Sequence, residues 1–162
     1  MNLFYTDKDP EVAARDLCDK HVCKMILEAA QMMCTAHIEL ESTAIPSDVC
    51  YKRTHVNHPS SVWVRSSRNQ YAWCYEWWYE MCMEYERRYG KEHLTYTKLS
   101  GYLCIVPHAI HCVQDFVEPP QCMPDEYKHS ITHVAYRDYM RLRKLTWRFG
   151  RIPISHIGGT SK

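Results

Sequence analysis

The sequence predicts an all-α fold: one compact domain over residues 1–162, built on three long helices that follow an extended N-terminal segment, residues 1–8. Three observations lead there. Apolar residues recur at intervals of three and four over three long stretches, and strand-like alternation is scarce. The interiors of those stretches lack glycine and proline, which gather at their ends. The 162 residues, 46% hydrophobic and 24% charged, suit one soluble domain with one real core.

Residues 2–6, Asn-Leu-Phe-Tyr-Thr, are apolar and aromatic, a brief strand or an extended segment packed on the core. The first helix is predicted over Asp9–Leu40. Asp9 can cap it, Pro10 fits its first position, and Glu11 suits the positive end of the helix dipole. Val22, Ile26, Ala29, Met33 and Ala36 form its core stripe. Lys20, Lys24, Glu28, Gln31 and Thr35 form a second stripe, with His21 at its edge. Residue chemistry alone reads that stripe as solvated i,i+4 pairs, Asp16–Lys20 and Lys24–Glu28, each contributing a few tenths of a kcal/mol.

Residues 41–59 lack helical periodicity and hold Pro46 and Pro59, so they read as a loop. Its second half is rich in donors, among them His55, Asn57 and His58. Such a loop running into a helix N-terminus is a candidate anion site. Ordinary capping by Asn57 or Ser60 accounts for it equally well.

The second helix, Ser60–Tyr89, stops at Gly90 and carries more aromatics than one core stripe can take, so some can flank a groove. Arg65 and Arg68 near its start can meet phosphates or pair with Glu11, Asp16 or Glu28. Glu84, Glu86, Arg87 and Arg88 read as a solvated terminus. Leu99–Val113 fits one or two short helices. The proline-rich run at 118–127 then feeds the third helix, about 124–148, starting at Pro124 or at Ser130. Arg137, Arg141, Lys144 and Arg148 form its basic stripe, with Trp147 near its end, and a tail from about 150 to 162 frays. Residues 128–162 carry eight basic residues against Asp138 alone, a net +7, which leaves −6 on residues 1–127. A basic segment on a near-neutral protein is a candidate footprint for a polyanion, or it pairs with the protein's own acidic helices.

Several classes are excluded. There is no P-loop, GxGxxG, GxSxG or HExxH. No apolar run reaches the roughly 18 residues of a membrane span, and the start lacks the pattern of a signal peptide. The nine cysteines include no CxxC pair and no zinc spacing, so they are expected as reduced thiols of a cytoplasmic protein, with no metal or organic cofactor.

The order of features resembles the phage pyrimidine-dimer DNA glycosylase family, the enzymes often called bacteriophage endonuclease V. Asp19-Lys20-His21 with Glu28 stands at the spacing of that family's D-x-H motif and its glutamate. His58, or His55, precedes the second helix, as a His does in the family. Met123-Pro124-Asp125-Glu126-Tyr127 leads into the third helix, and Trp147-Arg148-Phe149-Gly150 closes it.

The resemblance implies a compact all-α monomer whose N-terminus is threaded between the first and third helices. It also implies excision of damaged pyrimidines from double-stranded DNA: an N-terminal α-amine attacks the sugar and a carboxylate assists. Carried onto this chain, the amine belongs to Met1, because Asn2 is too large for the usual removal of the initiator. Glu28 becomes the carboxylate and His21 its companion. The family's helix-1 arginines are replaced by Leu27 and Gln31. DNA grip is therefore expected from His55, Asn57, His58, Arg65, Arg68, Arg137, Arg141, Lys144, Trp147 and Arg148. Two alternatives stand beside this reading: an enzyme processing a pyrimidine base or nucleotide on the same scaffold, and a non-catalytic nucleic-acid-binding module.

Overall fold

The computed structural model describes residues 2–111 and 115–149, with the backbone alone for 143–149. Among them are α1 (Pro10–Arg15), α2 (Asp19–Glu39), α3 (Pro59–Val64), α4 (Arg68–Tyr89), α5 (Leu94–Leu103), a 3-10 turn (Asp125–Tyr127) and α6 (Thr132–Phe149), and no strand. The all-α expectation holds, and α2, α4 and α6 are the three long helices. No helix of the described residues is long and apolar enough to cross a membrane.

The boundaries differ in instructive ways. The predicted helix Asp9–Leu40 is two helices, broken at 16–18. Asp9 does cap the first, accepting from the Glu11 N–H, with Pro10 in its first turn. The break is bridged from far away: the Arg88 guanidinium donates to the Leu17 and Arg15 carbonyls at 2.9 and 3.3 Å and to the Asp19 carboxylate at 2.9 Å. The Arg15 carbonyl is one that the end of α1 leaves bare, and Leu17 lies in the break itself. Arg88 also meets Glu84, which is only 4% exposed and held as a carboxylate by Arg87 and Arg88. At the end of α4, Glu84 and Arg88 therefore form a structural clamp, while Glu86 and Arg87 are exposed as a solvated terminus would have them.

The predicted helix Ser60–Tyr89 is likewise two. Ser67 turns extended and caps α4 by accepting from the Gln70 N–H. Gly90 ends α4 in the left-handed region, φ +67°, where a side chain would strain the backbone. The third helix begins at Thr132, eight residues later than the earliest sequence reading, because Pro124 opens a separate 3-10 turn.

The core forms where α4 packs on both α1 and α2. All five residues of the predicted α2 stripe, Val22, Ile26, Ala29, Met33 and Ala36, are buried, as are Trp73, Trp77 and Trp78 of α4. Residues 3–6 form no strand. Successive short turns, Tyr5 N–H to Leu3 C=O and Thr6 N–H to Phe4 C=O, compact the segment. Tyr5 packs on Trp73, with ring centroids 5.0 Å apart, and the Trp73 indole donates to the Lys8 carbonyl. Phe4 lies between His21 of α2 (4.9 Å) and Tyr136 of α6 (6.4 Å). The N-terminal segment is thus the packing layer between the first and last long helices.

Candidate active site

The chain start is held by its second residue. Asn2 donates through Nδ2 to the Cys122 carbonyl at 2.9 Å, and its Oδ1 accepts from the Tyr136 hydroxyl at 2.9 Å. Cys122 Sγ lies 3.5 Å from the Ser60 hydroxyl in the first turn of α3. Residue 2 is thereby docked at the same place as the start of α3, which His58 caps.

His58, rather than Asn57 or Ser60, is that cap: its Nδ1 accepts from the Ser60 N–H at 3.2 Å. Burial lowers its pKa first, positive charge around it (His55 included) acts the same way, and the Glu28 carboxylate opposes them. So Glu28 of α2 and the loop imidazoles share one electrostatic neighbourhood. Glu28 pairs with Lys24 at 3.2 Å and is itself largely covered. His21 lies two turns from Glu28 on the same helix, buried under Phe4, its Nδ1 3.4 Å from Cys18 Sγ.

The donor-rich loop is built onto α2 and α3. Thr35 Oγ1 both accepts from the Thr54 N–H and donates to the Thr54 carbonyl, each at 3.2 Å. Arg65 Nη1 donates to the Val56 carbonyl at 2.8 Å. His55 sits at φ +47°, an uncommon conformation for a residue with a Cβ, and Asn57 is exposed beside it. Arg68 donates to the Ile110 carbonyl at 3.2 Å. Both arginines therefore hold backbone in this state, and neither is paired with an acidic residue that the sequence suggested.

On α6, Arg137 is paired with Asp7 of the N-terminal segment, while Arg141 is exposed and lines a small cavity of about 230 Å3 with Thr6. The side chains of Lys144, Trp147 and Arg148, and Met1 itself, lie outside the described residues, as does the tail from 150.

A family model described as pyrimidine dimer DNA glycosylase matches residues 1–97 of the 162. The chain belongs to the pyrimidine dimer DNA glycosylase family. No curated protein and no solved structure gives a match. The match to the glycosylase family takes in α1 to α4, and so His21, Glu28, the loop and both helix breaks. It implies a DNA substrate containing pyrimidine dimers.

Sequence reasoning missed Asn2, Phe4 and Tyr136 as the residues that position the chain start. Their hydrogen bonds and ring contact span more than 130 residues for Asn2–Tyr136, and nothing in local periodicity signals them. It also missed Cys122, the shared contact of Asn2 and Ser60.

Proposed function

We propose that this protein is a DNA glycosylase with lyase activity that excises damaged pyrimidines from duplex DNA, using the Met1 α-amine and Glu28. The amine attacks C1′ of the damaged nucleotide as the glycosidic bond breaks, and the pyrimidine leaves with a proton. The remaining amine proton is lost and the sugar ring opens, giving an imine. Removal of a C2′ proton then breaks the C3′–oxygen bond and cuts the strand. An α-amine has an ordinary pKa near 8, so a usable fraction is neutral at pH 7. Glu28 stabilises the positive charge that grows on the sugar and carries protons between ring oxygen and imine.

One juxtaposition supports the reading most. The described start of the chain, Asn2, is docked by Cys122 at the first turn of α3, whose cap His58 feels the Glu28 charge. Family membership supplies the reaction class. His21 and His58 act as orienting groups. The exposed Asn57 and Arg141 and the basic end of α6 meet the DNA backbone. His55 and Arg65 shape the loop that faces it, and Arg68 holds the segment at Ile110 beside α4.

The test is incubation with a UV-irradiated duplex oligonucleotide, with and without borohydride. The proposal expects strand cutting and, with reductant, a covalent protein–DNA adduct. Intact substrate and no adduct would refute it.

A further inference from the structure

Beside this site lies an open groove of about 1090 Å3, between the start of α3 and the start of α6. Two imidazoles line it, and both are committed in the same way. His58 Nδ1 accepts from the Ser60 N–H at 3.2 Å, and His129 Nδ1 accepts from the Ile131 N–H at 3.1 Å. In a neutral imidazole the accepting nitrogen carries no proton, so the other must. Each ring therefore has an Nε2–H to donate.

Gln121 fixes His129 in place: its Nε2 donates to the His129 carbonyl at 2.6 Å and its Oε1 accepts from the His129 N–H at 2.9 Å. Lys128 adds an ammonium group. Its partner Asp125, at 2.7 Å, is 93% exposed, and a solvated pair of this kind exchanges partners readily. Among the described residues none of those lining the groove is a carboxylate, and its walls include Pro120 and Pro124, whose rings offer no N–H.

Imidazoles that present Nε2–H, one mobile cation and apolar ring faces suit an acceptor-rich anion carried on a sugar. We propose that this groove holds the sugar–phosphate backbone of a DNA strand, with Lys128 and His129 on a phosphate. A strand lying there passes Cys122, which also holds Asn2. The inference rests on the DNA reading above and adds two contacts, Lys128 and His129, that lie outside the matched residues 1–97. An open groove of this size suits a strand better than an isolated ion.

The experiment measures the affinity of the full chain for undamaged duplex across salt concentrations, apart from any cutting assay. Each phosphate contact contributes about 0.9 to the slope of log K against log salt. Lys128→Gln is expected to flatten the slope by about that much. Lys128→Arg should keep it. Lys91→Gln, an exposed lysine at the far end of α4, should also leave it unchanged.

An unchanged slope in Lys128→Gln, or an equal loss in Lys91→Gln, would overturn the proposal. So would displacement of the duplex by thymidine monophosphate at the same phosphate concentration as a tetranucleotide, which would make the groove a mononucleotide site. Failure to cut UV-irradiated DNA, with the slope effect intact, would refute the glycosylase reading and leave the groove as a strand site.

Discussion

Lowering the pH from 7.5 to 4.5 is expected to cost this protein stability at one identifiable residue, His37. The ring is buried within a chain of hydrogen bonds that fixes its proton. The Tyr71 hydroxyl donates to the Leu103 carbonyl at 3.1 Å, so at His37 Nε2, 2.9 Å away, it must accept. His37 therefore carries its proton on Nε2. Its Nδ1 accepts from the Ser42 hydroxyl at 2.8 Å, and Ser42 Oγ accepts in turn from the Ala44 N–H.

The folded state holds His37 neutral: burial lowers its pKa from 6.5 to about 4. The unfolded chain takes up the proton near 6.5. The stabilisation is complete above pH 6.5 and is lost as the pH falls toward 4, below which the loss levels off. At about 1.4 kcal/mol per pKa unit, the full loss is about 3 kcal/mol, a large part of a typical domain's stability.

Urea unfolding followed by tryptophan fluorescence, at pH 7.5 and 4.5, measures it in wild type and in His37→Gln. The variant starts less stable and loses about 2.5 kcal/mol less over that interval. Burial lowers the pKa of His58 and His93 too, in the same direction, so the comparison with the variant isolates His37. Parallel losses in the two proteins would refute the reasoning.

Glu28→Gln should lower strand cutting by about 10²-fold or more. It should change the melting temperature far less than the cutting, because glutamine keeps the size and hydrogen-bonding capacity of the side chain and the pair with Lys24 is solvated. A collapse in melting temperature would make Glu28 structural instead. Arg88→Ala removes the clamp on the α1–α2 break and one partner of buried Glu84, and should cost about 3 kcal/mol in urea unfolding. Arg141→Ala should flatten the salt dependence of DNA binding by about one contact. Arg137→Ala should flatten it less and destabilise more, since Arg137 is committed to Asp7.

Much of the fold was legible because local chemistry and global packing agree in it. The α2 core stripe, the Asp9–Pro10 start and the Gly90 stop are all dictated by neighbours within one turn. The break at 16–18 was not, because the group that satisfies it, Arg88, stands some 70 residues away. The break before α4 was legible and overlooked: Ser67 followed three residues later by Gln70 has the form of a capping box.

The site divides the same way. His21 and Glu28 lie on one helix at a readable spacing. The docking of Asn2 on Cys122 and Tyr136, and the groove with its two capped imidazoles, join ends of the chain that no periodicity relates. Arg65 and Arg68 show the limit of reading charge from sequence, since both are engaged with carbonyl oxygens.

The most direct test of the central claim is the location of the borohydride-trapped adduct. Purified protein is reduced in the presence of UV-irradiated duplex, digested, and the sugar-bearing peptide is mapped by mass spectrometry. The account predicts the adduct on the α-amine of Met1, formed by wild type and absent in Glu28→Gln. An adduct on a lysine side chain, or one formed equally well without Glu28, would contradict it.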